Sequence, residues 1–165
     1  MKYLVIAESF KKYNLVCNNS ILGTMTYKGW LNTQSPSFTR QNEKSFKVEK
    51  PSIWKSNFKI SIANQVLFEF LFKWNGKIEI KVYRDNVVET IILKLTHFWK
   101  SKYGLLDESG KEIVTISSKY NWKTWKTNYT LTENVSFHHD YKEIVYLSAI
   151  HCIIILKNRA AAAAA

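Results

Sequence analysis

The chain has 165 residues, 46% of them hydrophobic and 15% aromatic, with a formal charge of +11 at pH 7. That much apolar material excludes a disordered chain and suits one domain. Five glycines without a GxGxxG or GxxxxGK pattern exclude the usual phosphate-cradling loops, and the two cysteines, Cys17 and Cys152, are too few for a disulfide framework.

Alternation of aromatic or β-branched residues with polar ones predicts strands near Tyr3–Ala7, Ile21–Trp30, Ser45–Val48, Phe58–Ile62, Val66–Lys73, Lys77–Tyr83, Val87–Leu95, Tyr103–Asp107, Glu112–Ser117 and Thr127–Thr132. Both prolines, Pro36 and Pro51, fit loops. No linker or internal repeat divides the chain. Residues 1–159 therefore read as a single domain, and residues 160–165 as a polyalanine tail outside the fold reasoning.

The stretch LFEFLFKWNGKIEIKVY predicts a hairpin. A two-residue Asn75-Gly76 turn would set Phe70 opposite Lys81 and mix the faces. A three-residue loop, Trp74-Asn75-Gly76 with Gly76 left-handed, shifts the register by one. Phe68, Phe70 and Phe72 then share a face with Ile78, Ile80 and Val82, and Glu69 falls opposite Lys81. A second hairpin is expected to turn at Asp107-Glu108-Ser109-Gly110, with Leu106 before it and Ile113 and Ile116 after it.

The segment from Tyr141 to Lys157 contains no Gly, Pro, Asn or Asp and is too long for a strand. Asp140 and Glu143 form a D-x-x-E start signal, with Asp140 as the expected N-cap. The predicted helix is apolar all round from Ile144 to Leu156. Those 13 residues fall short of the roughly 17–25 that a bilayer span needs. A helix of this kind is buried in protein. The expected fold is mainly β: a closed or nearly closed antiparallel barrel of about 10–12 strands around a buried hydrophobic C-terminal helix.

The hairpin containing DESGKEI, the connection YNWKTWKTNYTL and the closing EIVYLSAIHCIIIL resemble the tubby C-terminal-like group, in the order seen in the phospholipid scramblases and the LURP-one-related proteins. The resemblance runs from about Phe58 to Leu156. It implies a barrel of about a dozen strands around the helix and, by analogy, contact with phospholipid.

The charge raises an anionic membrane surface, an acidic protein and nucleic acid as partners. Arginine occurs only at Arg40, Arg84 and Arg159. Nucleic-acid readers favour the arginine fork, so nucleic acid is the least expected of the three. A Lys-rich composition also follows from an AT-rich coding sequence, and both origins of the charge stay open.

The segments HFWKSKYG and SKYNWKTWK bring Trp99, Trp122 and Trp125 beside Lys100, Lys102, Lys119, Lys123 and Lys126. Indole at headgroup depth with ammonium on phosphate is what a membrane interface favours. The candidate headgroup contacts are Lys100, Lys102, Lys119, Trp122, Lys123, Trp125 and Lys126. The competing reading is strand alternation, with tryptophan inward and lysine outward.

His138-His139-Asp140 reads as a loop, not a metal site, because no third ligand is placed by spacing. Ser148 and His151 lie three apart on one helix face and are expected to hydrogen-bond to the barrel wall or to helix carbonyls. No metal, cofactor or catalytic residue is expected. Only four consecutive apolar residues follow Tyr3, too few for a signal-peptide core, so a reducing, cytoplasmic setting is expected, peripheral at a membrane. The expected function is a non-enzymatic module for anionic phospholipid headgroups. The alternatives are a protein-interaction or scaffold domain, and a small-ligand carrier or enzyme at the barrel mouth.

Overall fold

The structure, a computed structural model, describes residues 1–29, 35–41, 46–50, 57–84, 87–97, 99 and 101–164. It contains strands β1 (Lys2–Ser9), β2 (Lys12–Cys17), β3 (Ser20–Thr26), β4 (Ser37–Arg40), β5 (Lys47–Glu49), β6 (Phe58–Ile62), β7 (Gln65–Phe72), β8 (Ile78–Arg84), β9 (Val87–His97), β10 (Lys102–Leu106), β11 (Glu112–Asn121) and β12 (Lys126–Glu133), then helix α1 (Lys142–Ala163). The strands form one sheet in the order β4-β3-β2-β1-β12-β11-β10-β9-β8-β7-β6-β5. Among the described residues the outermost strands meet through one bridge, from Phe38 of β4 to Phe46 just before β5, with the Phe46 N–H donating to the Phe38 carbonyl at 2.9 Å. The result is a nearly closed antiparallel barrel.

Alternation along the strands supplies the barrel's lining. Tyr3, Val5 and Ala7 of β1, Tyr13, Leu15 and Cys17 of β2, and Ile78, Ile80 and Val82 of β8 all point inward and are buried. They need an apolar partner in the lumen, and α1 is that partner. Every residue from Ile144 to Ile155 is buried. Isoleucine-rich and without a polar face, such a helix draws its stability from packing on all sides. Burying each large aliphatic side chain contributes about 1.5–3 kcal/mol. By length and composition alone α1 is apolar enough to cross a bilayer, a length it reaches because it runs on into the polyalanine tail. Its apolar stretch lies inside the barrel. The helix comes closest to the wall at Gly23, where a methyl group would meet the Thr39 carbonyl oxygen at 3.1 Å and Leu147 Cδ1 at 3.2 Å.

The hairpin between β7 and β8 has the expected register. Phe68 faces Val82, Phe70 faces Ile80, Phe72 faces Ile78, and Glu69 lies opposite Lys81. Gly76 sits at φ 77° in the three-residue loop. The Glu69 carboxylate reaches Lys59 of β6 at 3.4 Å and accepts a hydrogen bond from the Tyr83 hydroxyl at 3.0 Å. The turn after β10 also falls as expected. Asp107 Oδ1 accepts from the Ser109 hydroxyl at 2.6 Å and from the Lys111 N–H at 3.0 Å, with Gly110 at φ 85°.

The helix start differs from the expectation. The N-cap position is Tyr141, not Asp140, and no side chain caps it. The Tyr141 N–H instead donates to His139 Nδ1 at 3.0 Å. His139 is held for this task by ring contacts to Phe68 and Phe137. Glu143 turns to Arg40 of β4, with Oε2 3.7 Å from Nε, an ion pair too long for a hydrogen bond. The first turn is anchored mainly by Glu133. Its Oε1 accepts from Tyr146 at 2.6 Å, from Tyr3 at 3.3 Å and from Lys142 at 3.3 Å.

Neighbouring strands are antiparallel throughout, so the two ends of the barrel carry different turns. Turns from an odd strand to the next even strand lie at one end, called the upper rim here. Turns from even to odd lie at the lower end. The helix enters from the lower end after β12 and delivers Ile154, Lys157 and Asn158 to the upper rim, beside Ser9, Phe10 and Trp125.

Candidate functional site

The hairpin of β11 and β12 projects the Trp/Lys cluster. Pairing ends at Asn121 and Lys126, leaving a four-residue loop of Trp122, Lys123, Thr124 and Trp125. Asn121 opens the turn: its Oδ1 accepts the Lys123 N–H at 3.0 Å and its carbonyl accepts the Thr124 N–H at 3.3 Å. This Asx geometry is a local, sequence-encoded turn. Trp125 closes it in the left-handed region at φ 56°. A bulky residue rarely stands there, because its Cβ crowds the backbone.

Both indoles face out. Trp122 is 76% exposed and Trp125 67%. The inward-tryptophan reading is therefore overturned, for a simple reason. Alternation governs paired strand residues, and these two tryptophans sit in a turn. Trp122 packs edge-on against Tyr120, centroids 4.6 Å apart. Lys119, Trp122 and Lys123 line a shallow hollow with Tyr120, Asn121 and Asn128. Lys126 bends toward the barrel mouth and donates to the Glu8 carbonyl at 2.7 Å. Five of the sequence-predicted contacts, Lys119, Trp122, Lys123, Trp125 and Lys126, thus share one hairpin tip. Lys102 is half-buried at the start of neighbouring β10. Lys100 lies outside the described residues.

The rim extends beyond that tip. Trp99, in the turn after β9, is 94% exposed, and Trp74, in the turn after β7, is 99% exposed. Phe10 is exposed in the turn after β1. All are odd-to-even turns, so every described exposed tryptophan stands at the upper rim. Trp30 and Trp54 fall in sequence between β3 and β4 and between β5 and β6, and lie outside the described residues. Sequence reading placed Trp74 in its loop but did not join it to the cluster, and it missed Phe10. The available signal was topological: in an up-and-down meander, every second turn shares an end.

Charge is divided less sharply than the tryptophans. Lys11, Lys12, Lys28, Lys73, Lys77 and Lys123 lie in or beside upper-rim turns. Glu8 and Glu79, which flank two of these turns, are ion-paired to Lys12 at 2.9 Å and to Lys73 at 2.8 Å. The Lys12 ammonium, with Asn14 beside it, holds the Glu8 carboxyl below its ordinary range. Glu108, Glu133, Asp140 and Glu143 stand at the lower end, together with Lys2, Arg40, Lys47, Arg84, Lys111 and Lys142.

The lumen offers little chemistry. His151 Nδ1 lies 2.7 Å from the Tyr27 hydroxyl, as expected of a contact with the wall. Its Nε2 and the Ser148 hydroxyl are buried without a hydrogen-bond partner among the described residues, which for Ser148 departs from the expectation. Burial, with Lys50 nearby, holds the His151 imidazole down to about 3, so it is neutral at pH 7. Burial pushes the Cys152 thiol well above its usual range, which makes it a poor nucleophile. Among the described residues, no group of three His, Cys, Asp or Glu side chains is placed to hold a metal ion.

Comparison with family models, with curated proteins and with solved structures returns no match.

Proposed function

We propose that this protein is a non-enzymatic module that docks its upper rim on an anionic membrane surface. The observation that carries the reading is the concentration of exposed indoles at one end of the barrel, among lysines. Large exposed aromatic patches are uncommon on a protein without a partner. Indole favours the headgroup layer and ammonium favours lipid phosphate. The helix occupies the lumen that an enzyme or a carrier would use as a chamber. The strand number and the axial helix support membership of the tubby-like group, which we carry as part of this proposal.

Vesicle sedimentation tests it. The protein is expected to pellet with vesicles of phosphatidylcholine and phosphatidylserine at low salt, and less at high salt. Each lysine near such a surface contributes about 1 kcal/mol. Lys123→Glu with Lys126→Glu is therefore expected to cost at least about 2 kcal/mol, roughly thirtyfold in partitioning. A wild-type protein that stays in the supernatant at low salt refutes membrane docking and leaves the rim as a protein-binding surface.

A further inference from the structure

The upper rim contains a hollow of about 160 Å³ between β1, β12 and the end of α1, lined by Ser9, Tyr13, Trp125, Lys126 and Lys157 among others. It lies beside the hairpin tip, where the helix reaches the barrel mouth. Among the described residues, no carboxylate lines it. Ala7, Tyr129 and Ile154 also line it.

Lys157 is the unusual group. It is half-buried, and its partners among the described residues are neutral. Nζ donates to Ser118 Oγ at 2.9 Å and lies 5.5 Å from the centre of the Tyr129 ring. Burial depresses its pKa, so a nearby anion would relieve the cost of keeping it charged. The other polar groups point the same way. Lys126 also lines the hollow, with its ammonium donating to the Glu8 carbonyl at 2.7 Å and two further protons left to give. The Ser9 hydroxyl accepts the Lys11 N–H at 3.1 Å and so keeps its own proton to donate. The hollow is smaller than the roughly 300–1,000 Å³ of a drug-sized ligand site. It has room for one compact anionic group.

We propose that this hollow seats a single phosphate monoester, held by the ammonium groups of Lys157 and Lys126 and by the Ser9 hydroxyl. A monoester is compact, carries up to two charges, and offers several acceptor oxygens to converging donors. The source of the phosphate rests on the docking reading above: a lipid whose headgroup is a bare phosphomonoester would present it directly beneath the rim. The seat itself does not depend on that reading.

Two measurements separate the claims. Glycerol 3-phosphate is titrated into the 15N-labelled protein. Saturable shifts are expected at the amides of Ser9, Thr127 and Asn158, with affinity falling about tenfold in Lys157→Gln. Absent shifts, or shifts unchanged in the variant, overturn the seat. Lys157→Met, which keeps the aliphatic stem over Tyr129, replaces the first variant if that one fails to fold. Vesicles of phosphatidic acid and of phosphatidylserine, matched in surface charge, then test the source. Tighter binding to phosphatidic acid, lost in Lys157→Gln, supports a lipid monoester. Equal binding to both vesicles overturns the lipid source while docking stands. Glycerol 3-phosphate binding without any vesicle binding refutes docking and leaves a seat for a soluble monoester.

Discussion

His151 stands in the middle of the lumen with the Tyr27 hydroxyl on one nitrogen and aromatic rings around it. Its imidazole titrates near 6.5 in the unfolded chain and about 3 in the fold. Between those values the unfolded chain takes up a proton that the folded one refuses. Stability contributed by this residue is therefore complete above pH 6.5 and drains away as pH falls toward 3. The slope approaches about 1.4 kcal/mol per pH unit, or about 2 kcal/mol between pH 7 and pH 5. Urea unfolding at those two pH values is expected to show the loss in the wild type and a flatter profile in His151→Gln, after carboxylate effects common to both cancel. Equal profiles would mean that the ring is not dry in solution.

Among the elements, the turn between β11 and β12 sets function against stability. Trp125 occupies a left-handed position that glycine fills at no steric cost. Trp125→Gly is expected to raise stability by up to about 1 kcal/mol, since little of the indole is buried, while vesicle binding drops. A variant that binds vesicles as well as the wild type would separate the strained turn from the membrane. Ten of the twelve strands were legible in the sequence, because a barrel wall with one dry face writes period-two alternation into every long strand. β4 was not legible: four residues with Phe38 as its one buried side chain contain no period. β2 was missed although Tyr13, Leu15 and Cys17 alternate, because Asn14 sits among them and the run is short. The helix was read from its apolar run, but its N-cap was not. The D-x-x-E pattern is local, whereas the hydrogen bond that holds the Tyr141 N–H comes from His139, whose ring packs on Phe68 of distant β7. The Trp/Lys cluster was visible as composition. Its exposure was not, since that depends on where pairing stops.

For the whole molecule, closure is uneven. β11 and β12 are long and pair with each other from Val114 to Asn121, whereas β4 and β5 are short and, among the described residues, meet through a single bridge. Local opening should begin where the fewest backbone hydrogen bonds must break. Amide hydrogen exchange is expected to be faster in β4 and β5 than in β11 and β12. Uniform protection around the ring would show that the seam is closed more tightly than one bridge implies. The helix also imposes an order on synthesis. Every strand leaves the ribosome before the segment that fills the space between them, so the nascent wall has nothing to condense upon. Twelve segments, each apolar on one side, must wait in the unfolded state until Ile144–Ile155 emerge. Productive folding is thus postponed until that segment is made, and a chain stalled before it is a natural client for chaperones.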